Sequence, residues 1–248
     1  YGSDNRFVIA GGGYTSYKNE DKIWVKASGS SLATITEDGF AVLDRVKLNL
    51  ISDKVYSDDV TEREEQVKND LADATLTKGK RPSVETSMHN IIGYAYVVHL
   101  HPTLVNGLMC SQDAEKELFR LFGEENVYIP YTDPGYLLFK KVENSIGEFR
   151  NKFGREPQVI WLQNHGIFVG ADTTDEIKTI YESIFSILEK AIMCHVPEAS
   201  RPTCSCTELL LPGIRMLLSK NSLKTLKIRK NELIKFFYDS ENNQSLIS

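Results

Sequence analysis

The sequence predicts a layered domain that mixes strands and helices around an antiparallel sheet. Three observations lead there. The 248 residues suffice for one large α/β domain with a proper core, or two small ones. Strand-like runs come first and in succession, joined by short polar turns. Helices enter only later, interleaved with further strands, whereas a doubly wound parallel sheet alternates the two from the start.

Residues 6–10 read as a strand running into Gly11-Gly12-Gly13. Residues 15–18 and 22–27 read as two more, joined by the polar turn Asn19-Glu20-Asp21, and residues 32–36 and 40–44 continue the β pattern. Residues 62–73 are highly charged and predict a surface helix. Gly79-Lys80-Arg81-Pro82 is a loop; Pro82 can open a helix, with Ser83 as a capping hydroxyl. Glu85 and His89 then share a helix face. Residues 91–98 read as a helix end followed by a strand. Residues 114–122 alternate at helical spacing and stop at Gly123. Residues 127–130 form a short strand before the turn Tyr131-Thr132-Asp133-Pro134-Gly135, and residues 137–153 form a helix. Residues 159–162 are strand. Residues 167–170 lead into a helix from Asp175 to about Met193, for which Thr173 or Thr174 can be the cap.

Two histidines one residue apart, His99 and His101, end the strand predicted after residue 91. Side chains at i and i+2 of a strand project from one face, so two imidazoles stand side by side. His165 ends a second β-rich run, in Gln163-Asn164-His165-Gly166, and Glu85 adds a carboxylate. Three imidazoles and a carboxylate suit a divalent transition metal, zinc above all. A lone histidine near an apolar strand is usually a hydrogen-bonded core residue; the spaced pair with a third partner favours a metal.

The glycine loop Gly11-Gly12-Gly13-Tyr14-Thr15-Ser16 lacks G-x-G-x-x-G and is followed by a strand, which argues against a nucleotide site. By itself it reads as a turn that permits positive φ. Together with Ser28-Gly29-Ser30-Ser31 and with Ser83, it supplies donors that suit a phosphate.

Hydrophobic residues make up 41% of the chain and charged residues 25%, ordinary for a globular protein. A net charge of −5 without a basic stripe argues against nucleic acid, and no stretch approaches a membrane span or reads as a signal peptide. The cysteines Cys110, Cys194, Cys204 and Cys206 lack paired C-x₂-C knuckles. They read as free thiols in a reducing cytoplasm rather than as a second metal site with His195. After about residue 200 the character changes. Residues 213–248 are expected to be a helical tail or a linker towards a further domain, behind a domain of residues 1–212.

Gly11-Gly12-Gly13-x-Thr15-Ser16, Trp24-Val25-Lys26-Ala27-Ser28-Gly29, Arg81-Pro82-Ser83-Val84-Glu85-Thr86, His99-x-His101-Pro102 and Gln163-Asn164-His165-Gly166 together resemble the class II aldolase/adducin family. The aldolase domain of long, bifunctional-type L-rhamnulose-1-phosphate aldolases is the nearest likeness, over roughly residues 6–200. The resemblance implies a three-layer α/β/α fold with a central, mainly antiparallel sheet. It implies Zn²⁺ or another divalent metal on His99, His101 and His165, and Glu85 as the acid/base. It implies phosphate contacts from Gly13, Tyr14, Ser28, Gly29 and Ser83. The implied reaction cleaves a ketose 1-phosphate to dihydroxyacetone phosphate and an aldehyde such as lactaldehyde. A small sugar phosphate as partner and a homo-oligomer in the cytoplasm are expected, without nucleic acid or membrane. Two departures stand out: Tyr14 where the family usually has asparagine, and Val84 where fuculose-phosphate aldolases have a second serine. The tyrosine that serves the aldehyde oxygen is one of Tyr128, Tyr131 and Tyr136. Sugar-phosphate 4-epimerases and dehydratases share the fold and metal triad, and adducin heads keep the fold without the histidines.

Overall fold

In the computed structural model, residues 1–8 and 12–191 are described. The elements run β1 (Tyr14–Lys18), β2 (Lys22–Lys26), β3 (Phe40–Asp44), α1 (Arg45–Asp53), α2 (Val60–Ala74), α3 (Thr86–Ile91), β4 (Tyr96–Leu100), α4 (Thr103–Met109) and α5 (Ala114–Phe122). They continue with β5 (Val127–Ile129), α6 (Tyr136–Phe153), β6 (Val159–Leu162), β7 (Gly166–Ala171) and α7 (Thr174–Ala191). The strands form one sheet in the order β3-β2-β1-β4-β7-β6-β5. Every neighbouring pair is antiparallel except β5 with β6. The expected layered architecture, a mainly antiparallel sheet between helices, is what the chain adopts.

Alternation along the central strands builds the two helical layers. Val97, Ile160, Leu162 and Phe168 join a core with α1, α2, α3 and α6, while Val98, Leu100, Trp161, Ile167 and Val169 join a second core with α4, α5 and α7. A strand buried on both faces must be apolar at every position, and β7 is buried throughout. Trp161, fully buried, spends its indole N–H on Asn126 Oδ1 at 3.0 Å.

The hairpin of β1 and β2 turns as expected, with Asn19 Oδ1 accepting from the N–H of Asp21 and of Lys22. α5 ends at Gly123, whose φ is +77°. α7 opens with a capping box: Thr173 Oγ1 accepts from Glu176 N–H, and Glu176 Oε2 accepts from Thr173 N–H.

Two expected strands are absent. Arg6–Val8 is a turn: Asp4 O accepts from the N–H of Phe7 and of Val8, and Asp4 Oδ1 takes that of Arg6. Phe7 and Val8 are both buried, which a one-sided strand would not allow. Residues 9–11, the rest of that run, lie outside the described residues. Residues 32–36 form turns, where Ser31 O accepts from Thr34 N–H and Ser31 Oγ from Ala33 N–H. Local serine bonds of this kind compete with a sheet ladder.

Two helices go unpredicted. In α1 the alternation of Val46, Leu48 and Leu50 imitates a strand. The buried pair is Leu48 and Ile51, at helical spacing, and Asp44 Oδ1 caps the helix by accepting from Val46 and Lys47 N–H. α4 begins directly after Pro102 and is only seven residues long. Residues 167–170 are the core of β7 rather than a lead into the helix. The predicted tail 213–248, its boundary, and Cys194, His195, Cys204 and Cys206 lie outside the described residues.

Candidate active site

The site forms where three connections meet the sheet. His99 is the last residue but one of β4, and the segment that follows the strand carries His101. The β6–β7 turn carries His165, and Glu85 sits at the N-terminal boundary of α3. Leu100 pairs with Ile167, so the end of β4 lies against the start of β7. Asn164 turns the hairpin with φ +57°, in the left-handed region that asparagine tolerates, and its N–H reaches Met109 O.

One ring nitrogen from each of His99, His101 and His165 lies within 4.8 Å of the others. His99 is fully buried, stacked on Phe168 with centroids 4.1 Å apart. Its Nδ1 is 3.0 Å from Ile167 O, which can only accept. Nδ1 therefore carries a proton, and Nε2 is the ring nitrogen that faces the cluster. His101 Nε2 is 3.0 Å from His99 Nε2. Glu85 Oε1 stands 3.4 Å from His99 Nε2 and 3.3 Å from His165 Nε2. Its other oxygen, Oε2, is buried without a partner among the described residues.

The electrostatics prepare a ligand set. Burial, then repulsion from His99 and His165, pushes His101 down to about 4, so its imidazole is neutral at physiological pH. Burial pushes the Glu85 carboxyl up. The charge of His99 and hydrogen bonds from His165 and His99 outweigh it and hold Glu85 well below the usual carboxylate range. Glu85 is thus an ionised base, not the neutral-range acid that burial alone would make. Converging imidazole nitrogens, one with its tautomer fixed by a backbone carbonyl, and a carboxylate with an orphaned oxygen fit a divalent cation.

Glu85 is held by its own loop. Its N–H donates to Ser83 Oγ at 3.1 Å, and its carbonyl accepts from His89 N–H. Tyr14, Ser28, Ser83 and Val84 line one cavity of about 660 Å³. Gly13 and Gly29 do not line it. Gly13 has φ +89°, and a Cβ there would come within 3.1 Å of His99 O, so it serves the packing of the histidine strand. Gly29 has φ +90° beside open space. Of the three tyrosines, Tyr136 donates to Lys54 O, and Tyr128 pairs with Trp161 in the sheet. Tyr131 is tied to the His165 turn, its N–H donating to Gln163 Oε1 at 3.0 Å.

Sequence reasoning missed three contributors. Phe168 stacks under His99. His89, fully buried, has its Nδ1 2.8 Å from Ser16 Oγ. Lys26 is buried against Tyr14. No spacing rule marks a lysine at a strand end as buried; only the fold does.

The sequence model of the Class II Aldolase and Adducin N-terminal domain matches residues 3–192. The chain is 28% identical to the uncharacterized oxidoreductase YuxG of Bacillus subtilis over 200 residues, 77% of this chain and 27% of that protein. It therefore spans about a quarter of YuxG's length. With L-fuculose phosphate aldolase of Methanocaldococcus jannaschii the identity is 26% over 182 residues, 69% of this chain and 80% of that one. The solved N-terminal class II aldolase domain of a conserved protein from Thermoplasma acidophilum is similar with a TM-score of 0.64 at 26% identity, covering 77% of this chain and 87% of that one.

Proposed function

The chain belongs to the class II aldolase and adducin family, and from that premise we propose that it is a divalent-metal aldolase, with zinc as the metal. Its substrate is a ketose 1-phosphate of the L-rhamnulose 1-phosphate kind, cleaved to dihydroxyacetone phosphate and an aldehyde such as lactaldehyde. The observation that carries this reading is the meeting of three imidazole nitrogens with a buried, ionised carboxylate. A binding module would have no use for that cluster.

His99, His101 and His165 would hold the ion, which supplies Lewis-acid stabilisation of the negative charge that cleavage leaves on the ketone side of the substrate. Glu85 handles the proton at C3: it takes that proton in the condensation direction and returns it after cleavage. Being ionised, it is free to accept that proton. In cleavage the C4 hydroxyl must lose its proton as the C3–C4 bond breaks and the aldehyde departs. Tyr131, exposed beside the His165 turn, is the tyrosine best placed to accept a hydrogen bond from that hydroxyl and relay the proton, its own O–H donating to Asp133 Oδ1 at 3.2 Å, so that the carboxylate ends with the proton. Phe168 and the Ile167 carbonyl fix the plane and tautomer of His99, so that its lone pair is aimed before substrate arrives. The similarity to a fuculose-phosphate aldolase supports a sugar-phosphate substrate.

The test is a zinc-loaded assay for dihydroxyacetone phosphate release from a panel of ketose 1-phosphates, with proton exchange at C3 followed in parallel. Release of dihydroxyacetone phosphate supports the aldolase. Interconversion of epimers without release favours a 4-epimerase on the same scaffold. A chain that binds no metal and turns over none of them returns the adducin-like binding role.

A further inference from the structure

His89 is fully buried on α3, next in sequence to Met88, which belongs to the apolar core. An imidazole there costs more desolvation than a leucine or a second methionine. Its Nε2 has no partner among the described residues, so packing alone does not account for the ring. What His89 does is join two parts of the candidate site.

The first connection runs to Glu85. The N–H of His89 donates to the Glu85 carbonyl at 3.1 Å, closing one turn between them. α3 has only six residues, and the Glu85 side chain does not cap it. So short a helix is held by tertiary bonds rather than by its own propensity. β1 supplies two of them, both to His89. Ser16 Oγ lies 2.8 Å from Nδ1, and Lys18 Nζ donates to the His89 carbonyl at 2.8 Å. Lys18 is itself buried, and it spends its ammonium on that carbonyl.

The second connection runs to His99. The His89 ring meets Phe168 edge-on, with centroids 5.3 Å apart and planes at 73°. Phe168 in turn stacks on His99, its partner in the β4–β7 ladder. A phenyl ring makes no hydrogen bond that would stop it turning. The packed edge of His89 does that.

We propose that His89 is a positioning residue: anchored on β1 by Ser16 and Lys18, it sets Glu85 through the turn of α3 and the plane of His99 through Phe168, so that the proton carrier and the ligand ring keep one mutual geometry. The use of that geometry rests on the metal-aldolase reading, while the contacts themselves do not.

The probe is Co²⁺, bound in place of zinc, whose visible spectrum reports the geometry of its ligands. His89→Leu should weaken Co²⁺ binding by about tenfold and shift that spectrum, as loss of a group that orients a ligand from behind does. On L-rhamnulose 1-phosphate it should lower kcat by about tenfold or more and change KM far less. His89→Phe keeps a ring edge on Phe168 but loses the bond to Ser16. It should restore the Co²⁺ affinity and spectrum and leave kcat low. Ile184→Ala, in the core on the other face of the sheet, is the control for lost stability, read by denaturant unfolding. It should move neither the spectrum nor kcat. Folded His89→Leu with the Co²⁺ affinity, spectrum and kcat of the parent overturns the proposal, and so do equal changes in Ile184→Ala. Should His89→Leu not fold, Ser16→Ala decides in its place: it should lower kcat, and parent kcat overturns the proposal. A His89-dependent Co²⁺ spectrum without dihydroxyacetone phosphate release from any ketose 1-phosphate upholds His89 and removes the aldolase reading. Release with spectrum and kcat unmoved by His89→Leu does the reverse.

Discussion

The Nε2 atoms of His99 and His101 stand 3.0 Å apart, and the carbonyl of Ile167 determines what that approach means. Because Ile167 O accepts from Nδ1 of His99, Nε2 is the ring atom left to meet a cation. His101, pushed down to about 4, is neutral. Ring nitrogens aimed at a common point beside a third imidazole and a carboxylate gain most from a cation.

Protein purified without chelator should therefore hold about one divalent ion per chain, most often zinc. His99→Ala should abolish it, and removing the ion should lower the melting temperature. Elemental analysis is the check. His99→Ala with the metal content of the parent would mean that the ion lies elsewhere.

Glu85→Gln keeps the volume of the side chain and its place at the start of α3, but cannot accept a proton. The variant should fold, retain most of its metal, and lose kcat by about 10²–10⁴-fold. Its KM for the ketose 1-phosphate should change far less. Steady-state kinetics on metal-quantified protein would decide, and near-parent turnover would take Glu85 out of the proton transfer.

The histidines, Glu85 and the positions of most strands were legible because each leaves a mark in local spacing. His99-x-His101 is a strand period, Thr173 and Glu176 spell a capping box, and Gly123 stops a helix. α1 was not legible because Val46, Leu48 and Leu50 mimic a strand; the signal that could have found it was Asp44 as a cap. Lys26 and His89 were missed for another reason. Burial of a polar side chain is decided by what the sheet brings against it from distant segments, as Ser16 is brought to His89 across 73 residues of chain. Of the residues expected to contact phosphate, Tyr14, Ser28 and Ser83 share a cavity, while Gly13 serves packing instead.

His89 gives the stability a definite pH dependence. Burial, with the charge of His99 adding to it, pushes His89 down to about 3. In the unfolded chain the same ring titrates near ~6.5. Between those values the unfolded state binds the extra proton, so stability is highest above the unfolded pKa and falls as pH drops. The slope is up to about 1.4 kcal/mol per pH unit for this one group. His101 adds in the same direction down to about 4. Denaturant unfolding of chelator-treated protein across this range should show the loss, and His89→Gln, which does not titrate, should flatten it. A slope untouched by His89→Gln would assign the acid sensitivity to other groups.

Gly166 is where the backbone itself limits the site. A Cβ at this position would come within 2.5 Å of Leu100 O and 2.6 Å of His101 Cδ2. The first is backbone and cannot swing away, because Leu100 is paired with Ile167 in the sheet. The second belongs to a candidate ligand. Gly166→Ala must therefore either part β4 from β7 or displace the His101 ring. Overpacking of this kind costs about 1–3 kcal/mol, and here the ring moves more easily than the strand. The variant should lose metal affinity by more than it loses stability. Paired measurements of zinc affinity by competition and of unfolding free energy separate the two effects. A variant that keeps full zinc affinity would show that His101 holds no part of the ion.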